Sequence, residues 1–228
     1  ETKIWETVAK VVPVVKAVNL TKGGCGWLHA IISIEKQKEG KILHIKDQVS
    51  PRFEISSIIK AFDGGPILFF DKIKGHTTKV VANVCGTRER FCSALNVNAE
   101  GLYQRLIDAW RSPVPPKIVK EGPVKEVVEK PKLSKIPVLT HFEKDAGPYL
   151  TSAIICARSS NRKIENVSIH RLLVLDDTHL TIRIVPRHLF KLWEMAKKER
   201  KDMEIAIALG LNPAVSLAAA SSLPFGVS

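Results

Sequence analysis

Residues 149–185 read YLTSAIICARSSNRKIENVSIHRLLVLDDTHLTIRIV, a succession of apolar, partly β-branched runs cut by polar turns. Tyr149–Ala157, Val167–Leu175 and Leu180–Val185 have the composition of strands. Asn161-Arg162-Lys163 and Asp176-Asp177-Thr178 have the composition of hairpin connections. Downstream, Pro186 is expected to start a helix carrying Leu189, Leu192, Trp193 and Ala196 on one side. Ile205–Leu209 reads as a short buried strand ending at Gly210. Asn212-Pro213 then opens an Ala-rich helix to about Ser222, because Asn can cap and Pro fits the first turn.

Upstream the pattern changes to alternating elements. Residues 27–38 read as a helix through Trp27, Ile31, Ile32 and Ile34, and residues 41–45 alternate like a strand. Ser50-Pro51 is expected to open a second helix, and Asp63-Gly64-Gly65-Pro66 to form a turn. Strands follow over 67–73 and 79–84, Thr87 is placed as a helix cap, and helices run to about Trp110. Such alternation argues for an α/β unit. Residues 112–136 are rich in Pro, Lys, Val and Glu, which suits a connection or an extended strand wrapping the next unit. The expected class is therefore α/β (α+β), with an α/β domain over 1–112, a connecting segment over 113–136 and a mainly β domain over 137–228.

Composition narrows the functional classes. Of 228 residues, 45% are hydrophobic and 25% charged, enough for a substantial core and against wholesale disorder. The net charge of +12 fits either a Lys-rich solvated surface or attraction to anions. Nucleic-acid binders interleave aromatics with their basic residues, whereas here aromatics sit in apolar runs such as Pro66-Ile67-Leu68-Phe69-Phe70, so nucleic acid is not expected as a partner. Cys25, Cys85, Cys92 and Cys156 form no CxxC pair and no Cys/His zinc spacing, and they read as free thiols in a reducing, cytoplasmic setting. No apolar run approaches the ~20 residues of a membrane span. The start, Glu1-Thr2-Lys3, carries no signal-peptide pattern.

Four clusters carry chemistry-bearing residues. Gly64-Gly65-Pro66 with Gly86-Thr87-Arg88-Glu89-Arg90 reads as a turn and a capped helix. Asp145-Ala146-Gly147-Pro148 leads into Tyr149-Leu150-Thr151-Ser152, which places hydroxyls at a strand mouth, where they can contact phosphate. In Asn166-Val167-Ser168-Ile169-His170-Arg171, alternation sets Asn166, Ser168 and His170 on one face and Ile169 and Arg171 on the other. The bland reading makes the Asn/Ser/His face a solvated exterior, and the sharper one makes it a ligand set. Val185-Pro186-Arg187-His188 puts an Arg-His pair at a helix start, where backbone amides and the dipole favour anions.

The order of these clusters resembles the UbiD family of prenylated-FMN-dependent decarboxylases. Gly65-Pro66-Ile67-Leu68-Phe69-Phe70 is similar to its N-terminal Gly-Pro-Ala-Leu-Leu-Phe run, and Gly86–Arg90 to its Gly-Ser-Arg-Glu-Arg. Asp145–Pro148 resembles its entry to the central domain, and Asn166–Arg171 its Asn-x-(Gly/Ser)-Ile-x-Arg signature. Ala208–Ala214 and Ser222-Leu223-Pro224 resemble later segments, while residues 1–26 carry little of the likeness.

The resemblance implies a split β-barrel flavin-binding domain after the α/β domain, and a carboxy-lyase acting on an aromatic or α,β-unsaturated acid. By family role, Asn166 and His188 would ligate a divalent ion, Mn2+, with K+ as an accessory cation, bridging to the phosphate of prenylated FMN. Ser152, Ile169, His170, Arg187 and Ser222 would line the cofactor, and Arg171 would lie beside both the cofactor and the reacting carboxylate. A flavin prenyltransferase would supply the cofactor, and the whole protein would be a homo-oligomer. The family's third metal ligand, a Glu, comes shortly after the Gly-Val-Ser that is Gly226-Val227-Ser228 here. Its acidic proton donor and C-terminal domain are likewise expected beyond Ser228. The alternatives are a flavin-phosphate-binding fragment without catalysis and, third, a basic nucleic-acid-binding domain.

Overall fold

The structure is a computed structural model that describes residues 5–10, 14–15, 41–114, 117, 119–122 and 126–226. The helix expected over 27–38 lies outside the described residues.

The strands are β1 (Trp5–Lys10), β2 (Val14–Val15), β3 (Ile42–Val49), β4 (Ile67–Ile73), β5 (Val80–Ala82) and β6 (Val128–Glu129), then β7 (Tyr149–Leu150), β8 (Ile154–Arg158), β9 (Glu165–Ile169), β10 (Leu172–Val174), β11 (His179–Ile184) and β12 (Ile205–Ala208). The helices are α1 (Glu54–Ala61), α2 (Arg88–Leu95), α3 (Leu102–Arg111), α4 (His188–Lys198) and α5 (Pro213–Ala220).

In the N-terminal half, β3 pairs in parallel with β4 across α1, and β4 pairs antiparallel with β5. Val49, Ile55, Leu68, Phe70 and Ile73 form its buried core. α1 begins later than its sequence suggests. Ser50 Oγ accepts from Arg52 N at 3.1 Å and Glu54 Oε2 accepts from Ser50 N at 2.7 Å, so the serine stabilises a turn before the helix. The residue before the helix is Phe53, at φ 68°. The Gly-rich turn and the helix start after β5 are joined by one side chain. Arg90 is 2% exposed, and its guanidinium donates to Asn83 O at 2.6 Å and Gly65 O at 2.7 Å. The Gly-Thr-Arg-Glu-Arg run is therefore partly a structural device, with Arg90 tying two turns together.

The second half contains a four-stranded sheet in the order β1-β11-β10-β7 and a three-stranded sheet in the order β12-β8-β9. Their shared core comprises Leu150, Ile155, Leu172, Leu180, Ile182 and Ile184, covered by Leu189 and Leu192 of α4. The ladders divide into these sheets, without closure into one barrel among the described strands. Two of the expected runs are split: 149–157 breaks between β7 and β8, and 167–175 breaks at His170-Arg171. Each break turns the chain from one sheet into the other. The connecting stretch contains β6, which pairs with β2.

The halves meet through backbone and helix contacts. Phe53 N donates to Thr140 O at 2.9 Å and Thr140 N to Pro51 O at 3.1 Å, while Ser56 Oγ bonds His141 Nδ1 at 3.1 Å. α5 packs against both α2 and β9.

Substituting Arg90→Met should cost about 3 kcal/mol, because two part-buried carbonyls lose a charged donor. Arg88→Met, at an exposed guanidinium over Tyr103 (4.9 Å), should cost less than ~1 kcal/mol. Urea-unfolding midpoints of the two variants would check the contrast.

Candidate functional site

The site begins with the polarity of β9. Its residues alternate exposed and inward, and the inward ones are polar: Asn166 is 7% exposed and Ser168 half-buried, whereas Val167 and Ile169 are 37% and 43% exposed. This reverses the bland expectation of a solvated polar face. The cross-strand partners explain the direction. Ala157 opposite Asn166 and Ile155 opposite Ser168 both belong to the buried core, so the register drives Asn166 and Ser168 inward.

Once inside, the polar groups need partners. Asn166 Nδ2 donates to Ser168 Oγ at 2.8 Å, and Ser168 Oγ meets His170 Nε2 at 2.9 Å. His170 Nδ1 lies 3.4 Å from the carbonyl of Arg183 on β11, and His170 N donates to Ala153 O at 3.1 Å. Burial pushes the His170 pKa below its ordinary value, opposed by the hydrogen bond to Arg183. Asn166 Oδ1 has no hydrogen-bond partner among the described residues.

α4 packs against both β8 and β9. Arg187 is the N-cap residue, in extended conformation, and is exposed. His188 is half-buried, and its ring meets that of Phe225 edge-on at 5.5 Å between centroids. Neither of its ring nitrogens has a hydrogen-bond partner among the described residues. Lys191, one turn on, holds its Nζ 4.9 Å from the Phe225 centroid. Phe225 thus anchors the segment carrying Ser222 to the first turn of α4. Helix α5, which ends just before this segment, is capped as its sequence predicts: Asn212 Oδ1 accepts from Ala214 N at 2.7 Å, with Pro213 in the first turn.

At the level of elements, α4 and α5 both pack against β9, which carries Asn166 and Ile169, and the Phe225–His188 contact joins the segment after α5, which carries Ser222, to the first turn of α4. Ser152, in the segment entering β8, and Arg171, just after β9, are both exposed. The Asp145-Ala146-Gly147-Pro148 turn is held by Phe142 N donating to Asp145 Oδ2 at 2.9 Å and Val174 N to Pro148 O at 3.0 Å. A Cβ on Gly147 would lie 3.1 Å from Leu173 Cδ1, so the turn is packed closely against β10.

The thiols lie outside this chemistry. Burial raises the pKa of both Cys85 and Cys156, which favours the unreactive thiol form. Sequence reasoning assigned no role to the Ser168 bridge, the Arg183 carbonyl, Lys191 or Phe225. Only Ser168 was foreshadowed, by its place between Asn166 and His170 in the alternation.

The donor set fits a hard divalent ion beside a phosphate. Asn166 offers a carbonyl oxygen without a partner among the described residues, His188 an imidazole in the same condition, and the helix start favours an anion. Among the described residues no group of three or more His, Cys, Asp or Glu side chains could hold a metal. No helix of the described residues is long and apolar enough to cross a membrane.

Comparison with known proteins identifies the family. Models of the 3-octaprenyl-4-hydroxybenzoate carboxy-lyase family match along the chain: its Rift-related domain at residues 117–228, its N-terminal domain at 35–110 and its C-terminal domain at 1–50. The last match falls largely where the sequence motifs showed little resemblance and the C-terminal part was expected to be missing. Anhydromevalonate phosphate decarboxylase of Methanothermobacter thermautotrophicus is 35% identical over 183 residues, covering 80% of this chain and 43% of that protein. The chain thus spans less than half the length of this relative. The UbiD-class enzyme HmfF from Pelotomaculum thermopropionicum, solved with FMN, has a TM-score of 0.84 at 39% identity, covering 88% of this chain and 46% of that one. Vanillic acid decarboxylase of Sedimentibacter hydroxybenzoicus has a TM-score of 0.78 at 28% identity, covering 85% of this chain and 44% of that one. With its domain models matching both halves, the chain belongs to the UbiD family.

Proposed function

We propose that the chain forms the cofactor-holding part of a non-oxidative decarboxylase, which replaces the carboxylate of an unsaturated acid by a proton and releases CO2. The inward-turned polar face of β9 carries this reading, because a row of a buried Asn and half-buried Ser and His is not accounted for by surface solvation. The likeness to HmfF, solved with FMN, and to a decarboxylase of anhydromevalonate phosphate supports it. Of the acid classes, a phosphorylated α,β-unsaturated acid is favoured by the latter relative and by the net charge of +12; an aromatic acid is the competing class.

Asn166 Oδ1 and His188 would hold a divalent ion, Mn2+, and the ion would hold the flavin phosphate. Arg187 and the free amides of the first turn of α4 add positive charge to that phosphate. Ser152 and Ser222 offer hydroxyls to it, and Ile169 gives an apolar wall for the ring. When bound, prenylated FMN supplies the electron sink for decarboxylation; the protein supplies position and charge. Arg171 would grip the substrate carboxylate through paired N–H donors, keeping its charge at any working pH.

A second reading is favoured by one specific observation: among the described residues no group of three or more acidic, His or Cys side chains could hold a metal. On that reading the chain binds flavin phosphate without turnover.

The full chain, co-expressed with a flavin prenyltransferase, should retain flavin and Mn2+, read by absorbance and metal analysis. CO2 release from a phosphorylated unsaturated acid would support the enzyme, and flavin without turnover the binding module. Replacing Asn166 or His188 with Ala should weaken Mn2+ retention at least ~100-fold, since each removes a direct ligand of a site whose supporting partners alone are worth 10–100-fold. Unchanged occupancy would sink the assignment.

In a form that turns over, Arg171→Lys should lower kcat/KM about 100-fold through lost bidentate geometry while flavin content stays constant. Steady-state kinetics with absorbance-normalised cofactor would check it.

A further inference from the structure

We propose that Arg183 O, His170, Ser168 and Asn166 form a proton-ordered chain whose task is to turn the oxygen of the Asn166 amide, not its nitrogen, toward the metal position. The inference rests on the reading of Asn166 as an oxygen ligand and extends it to two positioning residues, Ser168 and His170.

The order of the chain is forced from one end. The Arg183 carbonyl can only accept, so the ring nitrogen facing it at 3.4 Å, Nδ1, carries the proton of the neutral imidazole. Nε2 is then bare and accepts from Ser168 Oγ, 2.9 Å away. The serine has one proton, now committed to His170, so at 2.8 Å it can only accept from Asn166. That places Nδ2 against Ser168 and Oδ1 on the other side. A flipped amide would demand the reverse sequence: Ser168 donating to Oδ1, Nε2–H donating to Ser168, and a bare Nδ1 facing the Arg183 carbonyl. Two acceptors would then confront one another.

Protonation of His170 is the other way to break the order, and burial disfavours it. Asn166 is 7% exposed, so its amide has no water-rich surroundings in which to average over both orientations.

The test uses the full chain with Mn2+ as probe, in the presence of FMN. Ser168→Ala should weaken Mn2+ binding by about 10- to 100-fold, the usual consequence of losing a group that orients a ligand. Ser168→Thr, which keeps the hydroxyl, should restore most of the loss. In an Asn166→Asp background, Ser168→Ala should have little effect, because a carboxylate has no nitrogen to misdirect. A purely structural role for Ser168 would instead lower affinity equally in both backgrounds. Nitrogen-15 spectra of the His170 ring should show the neutral form protonated at Nδ1. An Nε2-protonated ring, or an equal effect of Ser168→Ala in the unchanged and Asn166→Asp backgrounds, overturns the proposal while leaving Asn166 as a ligand. Unchanged Mn2+ binding in Asn166→Ala overturns both.

Discussion

The interaction on which the site depends is the one between β9 and β8. Pairing Asn166 with Ala157 and Ser168 with Ile155 commits a polar row to the side of the sheet that faces the core. An isolated buried amide or hydroxyl costs roughly 1–3 kcal/mol when left without a partner. The fold avoids that cost by bonding these groups to one another and to the Arg183 carbonyl, in the neighbouring sheet. The network therefore joins the two sheets as well as shaping the site. Its members cannot be changed singly without leaving a buried polar group behind.

The same register decides what β9 offers outward. His170 N donates to Ala153 O, so the amides of Ser168 and Asn166 point toward β8 and those of Val167 and Ile169 point away from it. Among the described strands β9 pairs only with β8, and α5 packs beside it. α5 also packs against α2, and Cys85, just before α2, hydrogen-bonds Ser216 on α5. The N-terminal half thus braces the helix that borders the site. The backbone exchange between Thr140 and Pro51–Phe53 acts as a second tie. The two halves cannot shift against each other without disturbing the surroundings of Asn166.

Much of this was legible in local chemistry. Asn212-Pro213 announces the start of α5, the Gly64-Gly65 turn falls where expected, and the strand runs 67–73 and 180–185 are close to β4 and β11. Failures came where a non-local partner decides. Ser50-Pro51 looks like a helix start, yet Glu54 bonds back to Ser50 N and Phe53 takes a left-handed conformation held by Thr140, far along the chain. Alternation in 166–170 correctly separated two faces but could not say which one is buried, because that depends on the partners of β9 across the ladder. Nor did it show that His170-Arg171 ends one strand, since apolar residues flank the pair on both sides while the chain passes from one sheet to the other.

The start of the chain shows the same dependence on long-range pairing. β1 lies antiparallel to β11 from Trp5 opposite Ile184 to Lys10 opposite His179. This pairing satisfies the side of β11 that would otherwise present unpaired amides and carbonyls, an arrangement that invites association with other strands. β11 is consequently held on both sides, by β1 and by β10, and the carbonyl of Arg183 sits within it. A carbonyl fixed in a strand is a better reference point for His170 than one in a loop, because its direction is set by the ladder in which Arg183 pairs with Glu6 of β1, next to Ile182, which pairs with Leu172 of β10. The orientation of the Asn166 amide is thereby tied, through His170, Ser168 and the β1–β11 ladder, to a segment at the opposite end of the sequence.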